Sequence, residues 1–543
     1  MKNLFKLFTY LVIAVSILTS SCTKNFDEIN TNPKGITVAS LDPTSYGFIF
    51  RQAIYFNYLQ PYGGSMQIIH SLYFDIYCNY FATTAENFLS DRYVMVGRWL
   101  DSDWETFYGS DAPQMKFAED FARVKGITEL GLIKIWKVFS YDRYTDALGP
   151  IAYSQFGNMA KTVPFDSQES IYSQFFLDLD TAINLLKAHA GETSPSISSY
   201  DPLYGGNYDQ WQKFGSSLRL KLGMRLKYVA PAIAKAQCEK AISEGVQTVN
   251  DDNGWITTTP DNQNPYNIIS DWGEYRMSAD MESILKVYLD PRVQKYFGPA
   301  AVPDPTDDPV GISFPYEGMR NGHTKSDRQV AGFNTKCSDM AAPYKIVGGA
   351  GPKWQVMRCS ETYFLRAEGK LEGWDMGAGT AEDFYKTGIE MSLAENGYAD
   401  NKNLAGEDYI TSTRVPASPG SDPATPAVII PPINTTPIAW KTAGTPEEQL
   451  EQIITQKWIG LWPDSQEAYA ERRRTHYPKL YDRLESENLD VPATSLPVRL
   501  VYGESMYTNN NVETLKAIET LNSESTTPHG DLPTTKLWWD KKP

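Results

Sequence analysis

DQWQKFGSSLRLKLGMRL, residues 209–226, is the stretch whose pattern sets the class of fold. Trp211, Phe214, Leu218, Leu222 and Leu226 recur at steps of three and four, the spacing of one face of an α-helix. Lys213, Arg219, Lys221 and Arg225 fall on its other faces. Asp209 with Gln212 makes a capping-box pattern at its start. A helix with such a stripe is stable only when another element covers the stripe.

The same grammar repeats outward from this stretch. Asp166 and Glu169 precede Ile171, Phe175, Leu179, Ile183 and Leu186. Thr445-Pro446-Glu447-Glu448 joins an N-cap, a proline at the first helical position and an acid at N3, ahead of Leu450, Ile453, Ile454, Trp458 and Leu461. Residues 361–370 and 382–396 predict two helices joined by the glycine-rich turn GWDMGAGT. That is a helix-turn-helix pair of the sort that stacks in tetratricopeptide-like arrays, although no strict repeat is visible. Strand signals are short: Ala427–Ile430 and Val498–Val501. Residues 75–110, 250–280, 300–355 and 405–445 are long stretches rich in Gly, Pro, Asn, Asp and aromatics. The expected class is all-α: one large helical domain over 36–543, with tetratricopeptide-like helix pairs and long irregular loops.

The first residues read as an export signal. Lys2 and Lys6 precede an apolar run from Leu7 to Leu18, then Thr19-Ser20-Ser21-Cys22. Small residues directly before a cysteine suit a lipoprotein signal peptidase. The expectation is a signal over 1–21, a diacylglycerol on Cys22 and a polar tether over 22–35. A second acyl chain on the new amino group makes such anchoring stable.

A net charge of −16 argues against nucleic acid and anionic headgroups as partners. Cys78, Cys238, Cys337 and Cys359 form no CxxC pair, so a zinc site is not indicated. Export permits disulfides, with Cys337–Cys359 the best-spaced pair. Four buried thiols are the better expectation for a chain that needs no staples. Asp304, Asp307 and Asp308 share a proline-rich loop without EF-hand spacing, so no metal and no cofactor is expected. Arg472-Arg473-Arg474 is the most basic spot; it is expected to pair with internal carboxylates such as Glu467 and Glu471 rather than bind an anion. Asp290-Pro291-Arg292 reads as a helix end, a proline stop and an ion pair.

Several segments together resemble one family. They are FDEINTNP after the cysteine, DALGPIAYS at 146–154, WQKFGSSLRLKLGMRL at 211–226 and RMSADMESILKVYLDPR at 276–292. ETYFLRAEGKLEGW at 361–374, IITQKWIGLWPDSQEAYAERRRTHYP at 453–478 and PVRLVYGESMYTNNN at 497–511 complete the set. The chain resembles the SusD/RagB family of Bacteroidetes outer-membrane lipoproteins, and more closely its SusD-like subgroup. The resemblance implies four tetratricopeptide-like helix pairs and a loop-rich remainder. It implies a lipid-anchored position outside the outer membrane, as a lid on a SusC-like TonB-dependent transporter. It implies capture of glycans, or of peptides in some members, and no enzyme activity. The shared motifs are scaffold, so they say little about the ligand.

Sugar binding needs aromatic planes for the C–H face of a ring, with polar groups beside them for its hydroxyls. Phe88, Tyr93, Arg98 and Trp99 supply this mixture in one loop; Asn264, Tyr266, Asn267, Trp272 and Tyr275 supply it in a second. Tyr316 lies in a third. The resemblance favours the first two, since glycan-binding members use aromatics from corresponding loops. Trp104, with Phe107 and Tyr108, reads instead as the core face of a helix. The expected ligand is an oligosaccharide and the expected partner a SusC-like transporter. A peptide-binding member, a surface glycoside hydrolase and a subunit that only seals the transporter are the alternatives. No GxSxG or HExxH motif supports an enzyme.

Overall fold

The computed structural model describes Lys2 and residues 41–543, apart from 59–65, 159, 305–310, 330–333, 347, 417, 419 and 423–428. The leader, Cys22, the tether, Asp307 and Asp308 therefore lie outside the described residues. The longer helices are α1 (Tyr46–Tyr58), α2 (Gly97–Thr106), α3 (Ala112–Lys125), α4 (Leu130–Leu148), α5 (Gln168–Lys187), α6 (Tyr208–Arg225) and α7 (Pro231–Glu244). They continue with α8 (Ala279–Tyr288), α9 (Cys359–Leu371), α10 (Ala381–Glu395), α11 (Pro446–Leu461), α12 (Ser465–Thr475) and α13 (Asn511–Glu524). Neighbours in sequence pack as pairs: α4 on α5, α6 on α7, α9 on α10. The pairs then stack through α5 on α6, α6 on α9 and α9 on α11. The fold is all-α, built by stacking helix pairs.

Local chemistry explains the helix ends, with two corrections. Thr445 caps α11 as expected: its Oγ1 accepts from Glu448 N at 3.3 Å, and its N donates to Glu448 Oε2 at 2.9 Å. α6 begins earlier than the Asp209–Gln212 pattern predicts. Asn207 is its cap, accepting from Gln210 N at 3.0 Å. Asp209 instead accepts from Gly191 N. α5 is capped by Ser167, which accepts from Ser170 N at 3.2 Å, not by Asp166. The Asp166 carboxylate is taken by the Tyr153 and Ser154 amides of the incoming loop.

Close helix approach depends on missing side chains. A Cβ on Gly388 of α10 would stand 2.8 Å from Phe364 Cε1 of α9. One on Gly215 of α6 would stand 2.8 Å from Ile135 Cδ1 of α4.

Charge joins the pairs from within. Arg225 of α6 is 1% exposed and reaches Asp146 of α4 at 2.9 Å, Glu467 of α12 at 2.7 Å and Glu471 of α12 at 2.6 Å. Arg474 of α12 reaches Glu471 at 2.7 Å and Glu368 of α9 at 2.6 Å. Burial, with Asp142 nearby, pushes Asp146 up to about 7. Opposing cations, Arg225 first, hold Glu467 down at about 2 despite its burial. The arginine run is thus internal, but only Arg474 of the three pairs with an expected carboxylate. Arg472 donates to Tyr77 O and Asn79 Oδ1; Arg473 donates to Val498 O and lies over Tyr469. Glu467 is held by Arg225, Lys221 and Lys457. Asp290 and Arg292 pair at 2.6 Å, beyond Leu289 at the end of α8.

Strands are few among the described residues. β1 (Phe81–Thr83) pairs antiparallel with β3 (Tyr275–Met277), β2 (Gly254–Ile256) with β4 (Trp354–Met357), and β5 (Gly420–Ser421) with β6 (Ile429–Ile430). Val498–Val501 is not a strand. Its amides bond to separate segments, Val498 N to Pro533 O and Leu500 N to Ala147 O. The four described cysteines are buried and none is in a disulfide, so Cys337 and Cys359 are not joined. Cys359 Sγ lies 3.1 Å from Asn250 Oδ1, while Cys337 packs with Ala82 and Met319.

Candidate ligand-binding site

The β2–β4 ladder carries the site. Its register sets Ile256 opposite Trp354 and Trp255 opposite Gln355. Trp462, just after α11, stacks on Tyr296 with ring centres 4.3 Å apart and planes at 20°. Tyr344 meets the same indole edge-on at 5.4 Å. These aromatics, with Trp255, line a cavity of about 240 Å³. Behind Trp354 lies Tyr266, stacked at 5.8 Å and 21°, whose hydroxyl donates to Asp75 Oδ1 at 2.9 Å.

Polar groups share the lining. Arg143 grips Asp464 through two hydrogen bonds of 2.5 and 3.1 Å. Arg358 lies over the Trp255 ring at 5.1 Å and pairs with Glu395 at 2.8 Å. Burial and then the Arg143 charge lower the pKa of His70 to about 3. His70 is therefore neutral, with one ring nitrogen a donor and the other an acceptor. Asp464 is the single carboxylate among the described residues of the lining. Aromatic planes beside amides and a neutral imidazole suit binding of a polar ligand with apolar faces.

One wall is a loop held by its backbone. Asn267 Nδ2 donates to Ile346 O and to Gly349 O, and its Oδ1 accepts from Ile346 N. Asn264 donates through Nδ2 to Pro352 O and through its amide to Ala350 O. Ser270 Oγ donates to Tyr344 O, and Thr258 Oγ1 to Gly351 O.

The structure brings some of the expected binding residues together and separates others. Phe88, Trp99 and Tyr275 form one aromatic cluster, with centroids 6.1 Å apart for Phe88–Trp99 and 5.8 Å for Phe88–Tyr275. Trp99 is only 4% exposed and Tyr275 5%. Tyr93 is buried beneath Arg483, with its backbone in the left-handed region at φ 64°. Tyr266 is buried behind Trp354, and Tyr316 is buried against Phe314. Phe88 is half-buried, and the other rings are buried against these neighbours. Trp99 is buried on a face of α2, whereas short strands and turns fold the other segments back onto the body, so their aromatics fill it. Arg98 is exposed and lies over Trp99. Trp272 is 45% exposed and stands two residues beyond Ser270, the residue that holds Tyr344 of the cavity. Trp104 is on α2 and packs against Tyr108 and Phe165, a helix-face position.

Trp354, Trp462, Trp255, Tyr344 and His70 were not singled out by the loop pattern. The signal for Trp354 is a glycine-rich loop, GGAGPKW, ending in tryptophan; for Trp462 it is the tryptophan–proline step that ends α11.

An array of stacked helix pairs carrying one aromatic-lined cavity among irregular loops defines a scaffold for ligand capture. The family model of SusD and RagB outer membrane lipoproteins matches residues 28–540, and the chain belongs to that SusD-like family. Solved structures agree. A chitin-binding SusD homologue from Flavobacterium johnsoniae is 34% identical, with a TM-score of 0.79 over 92% of this chain and 99% of that one. A SusD homologue from Bacteroides thetaiotaomicron is 30% identical, with a TM-score of 0.78 over 92% and 99%. One from Bacteroides ovatus is 29% identical, with a TM-score of 0.79 over 92% and 99%. No curated protein matches this chain. Among the described residues no helix is long and apolar enough to cross a membrane.

Proposed function

We propose that this chain is a surface lipoprotein that captures oligosaccharide and delivers it to a SusC-like TonB-dependent transporter. Its lipid would be carried on Cys22 and its body would face the cell exterior. The observation that carries the reading is the cavity lined by the half-buried Trp255 and Tyr344 with Trp354, Trp462 and His70, and the exposed Trp272 two residues from Ser270. Stacked planes flanked by hydrogen-bonding groups match the two surfaces of a sugar ring. The chitin-binding relative supports a saccharide over a peptide. Capture rather than hydrolysis fits the lining, because two-acid glycoside cleavage needs a second carboxylate across from the first.

Calorimetry on protein lacking residues 1–22, titrated with oligosaccharide and peptide panels, tests this reading. Saturable saccharide binding that Trp354→Ala abolishes is the expected result. Saturable peptide binding with no saccharide bound would overturn it.

A further inference from the structure

The cavity carries more positive charge than the rest of this acidic chain would suggest. Arg143, Lys295, Lys353 and Arg358 line it against the one carboxylate of Asp464. Arg143 is neutralised by Asp464, and Arg358 by Glu395 outside the lining. Lys295 and Lys353 are exposed at its edge and form no ion pair among the described residues; Lys295 rests over the Tyr398 ring at 5.6 Å. A chain of net charge −16 thus keeps two unneutralised cations beside one aromatic cavity.

The Arg358 guanidinium is already taken: it donates to Glu395 Oε1, Gly460 O, Gln355 Oε1 and Trp462 O, so the two lysines are the cations left to a ligand. Ammonium groups beside an aromatic cavity suit oxygens that carry negative charge.

Resting on the glycan-capture reading above, we propose that the cavity selects an acidic saccharide, one bearing a carboxylate or a sulfate on the ring it encloses. The aromatic lining holds the ring, and the lysines at the edge meet the anionic oxygens. Neutral glycans keep the stacking and lose the charge.

The test uses matched pairs that differ in charge alone. Trigalacturonate is compared with its methyl ester, and a κ-carrageenan tetrasaccharide with its desulfated form. The probes are titrated into wild-type protein and into a Lys295→Met/Lys353→Met variant with an unchanged melting temperature. The expected result is that the acidic member of at least one pair binds about tenfold or more tightly than its neutral partner. That gap should close in the variant and shrink in about 0.5 M salt. The pair that shows the gap distinguishes carboxylate from sulfate. Equal or tighter binding of the neutral members, a gap that the variant preserves, or silence from both acidic probes would overturn the proposal. Binding of any neutral oligosaccharide would then leave the glycan reading standing, whereas peptide binding without saccharide binding would remove that reading as well.

Discussion

Arg474 and Glu368 meet face to face in the interior, Nη1 to Oε1 at 2.7 Å and Nη2 to Oε2 at 2.6 Å, across 106 residues of sequence. The pair ties α12 to α9, and Lys227 shares the same carboxylate at 3.2 Å. Glu368→Ala leaves Arg474 and Lys227 buried with less compensation and should cost about 3–5 kcal/mol. Glu368→Leu combined with Arg474→Met should recover much of that loss, because Glu471 keeps Arg225 and Lys457. Urea unfolding midpoints of wild type and the two variants check this. A double variant no better than Glu368→Ala would contradict the ion-pair account.

Gly388 offers a steric test of the α9–α10 pair. Alanine there gains about 1 kcal/mol of helix propensity. Its Cβ, however, would meet the Phe364 ring at 2.8 to 3.0 Å. Overpacking of this kind costs about 1–3 kcal/mol, so Gly388→Ala should be destabilising on balance and Gly388→Val more so. A raised melting temperature for the alanine variant would show that the ring yields freely.

The two tryptophans expected at the ligand should behave oppositely. Trp99→Ala empties a core position and should cost about 3–5 kcal/mol. Trp272→Ala should shift stability by no more than about 1 kcal/mol. Under the proposed function it should weaken oligosaccharide binding by up to about tenfold, the scale of one aromatic stacking contact. Thermal melts and calorimetry on the same two proteins separate the roles.

Asp103 predicts a pH dependence. It is 9% exposed, and burial pushes its carboxyl up to about 7 against the opposing hydrogen bond from the Tyr144 hydroxyl. Its ordinary value is 3.8, so between about 4 and 7 the native state holds a proton that the unfolded chain has lost. Its contribution to stability therefore falls as pH rises through that window, by up to about 1.4 kcal/mol per pH unit, and is flat above it. Asp103→Asn should remove this slope, so the variant gains on wild type from pH 4 to 7. Urea melts at a series of pH values measure the difference, and a constant difference across the window would refute the assignment.

The helical scaffold was legible because its signals are periodic and local. Trp211 to Leu226 and Leu450 to Leu461 mark helix faces that the structure buries. Cap positions slipped by one or two residues, because Asp, Asn and Ser all compete for the same amides and tertiary partners decide among them. Trp272 was singled out by its polar company and is exposed. Trp99 has the same company but lies on the buried face of α2, since composition alone does not tell the start of a helix from a loop that stays out. Trp354 and Trp462 are 108 positions apart and meet only through the β2–β4 ladder and the end of α11. No window of sequence contains that meeting.

The loop over 344–352 is gripped almost entirely by its main chain: Asn264, Asn267, Ser270 and Thr258 take its carbonyls and one of its amides. Those bonds record the path of the loop and are indifferent to the identity of most side chains along it. Exposed positions such as Lys345, Ile346 and Lys353 can therefore be exchanged while the wall keeps its shape. The mouth of the cavity is in that sense a replaceable fitting on a fixed frame, and grafting new side chains there is a direct route to redirecting what the protein captures.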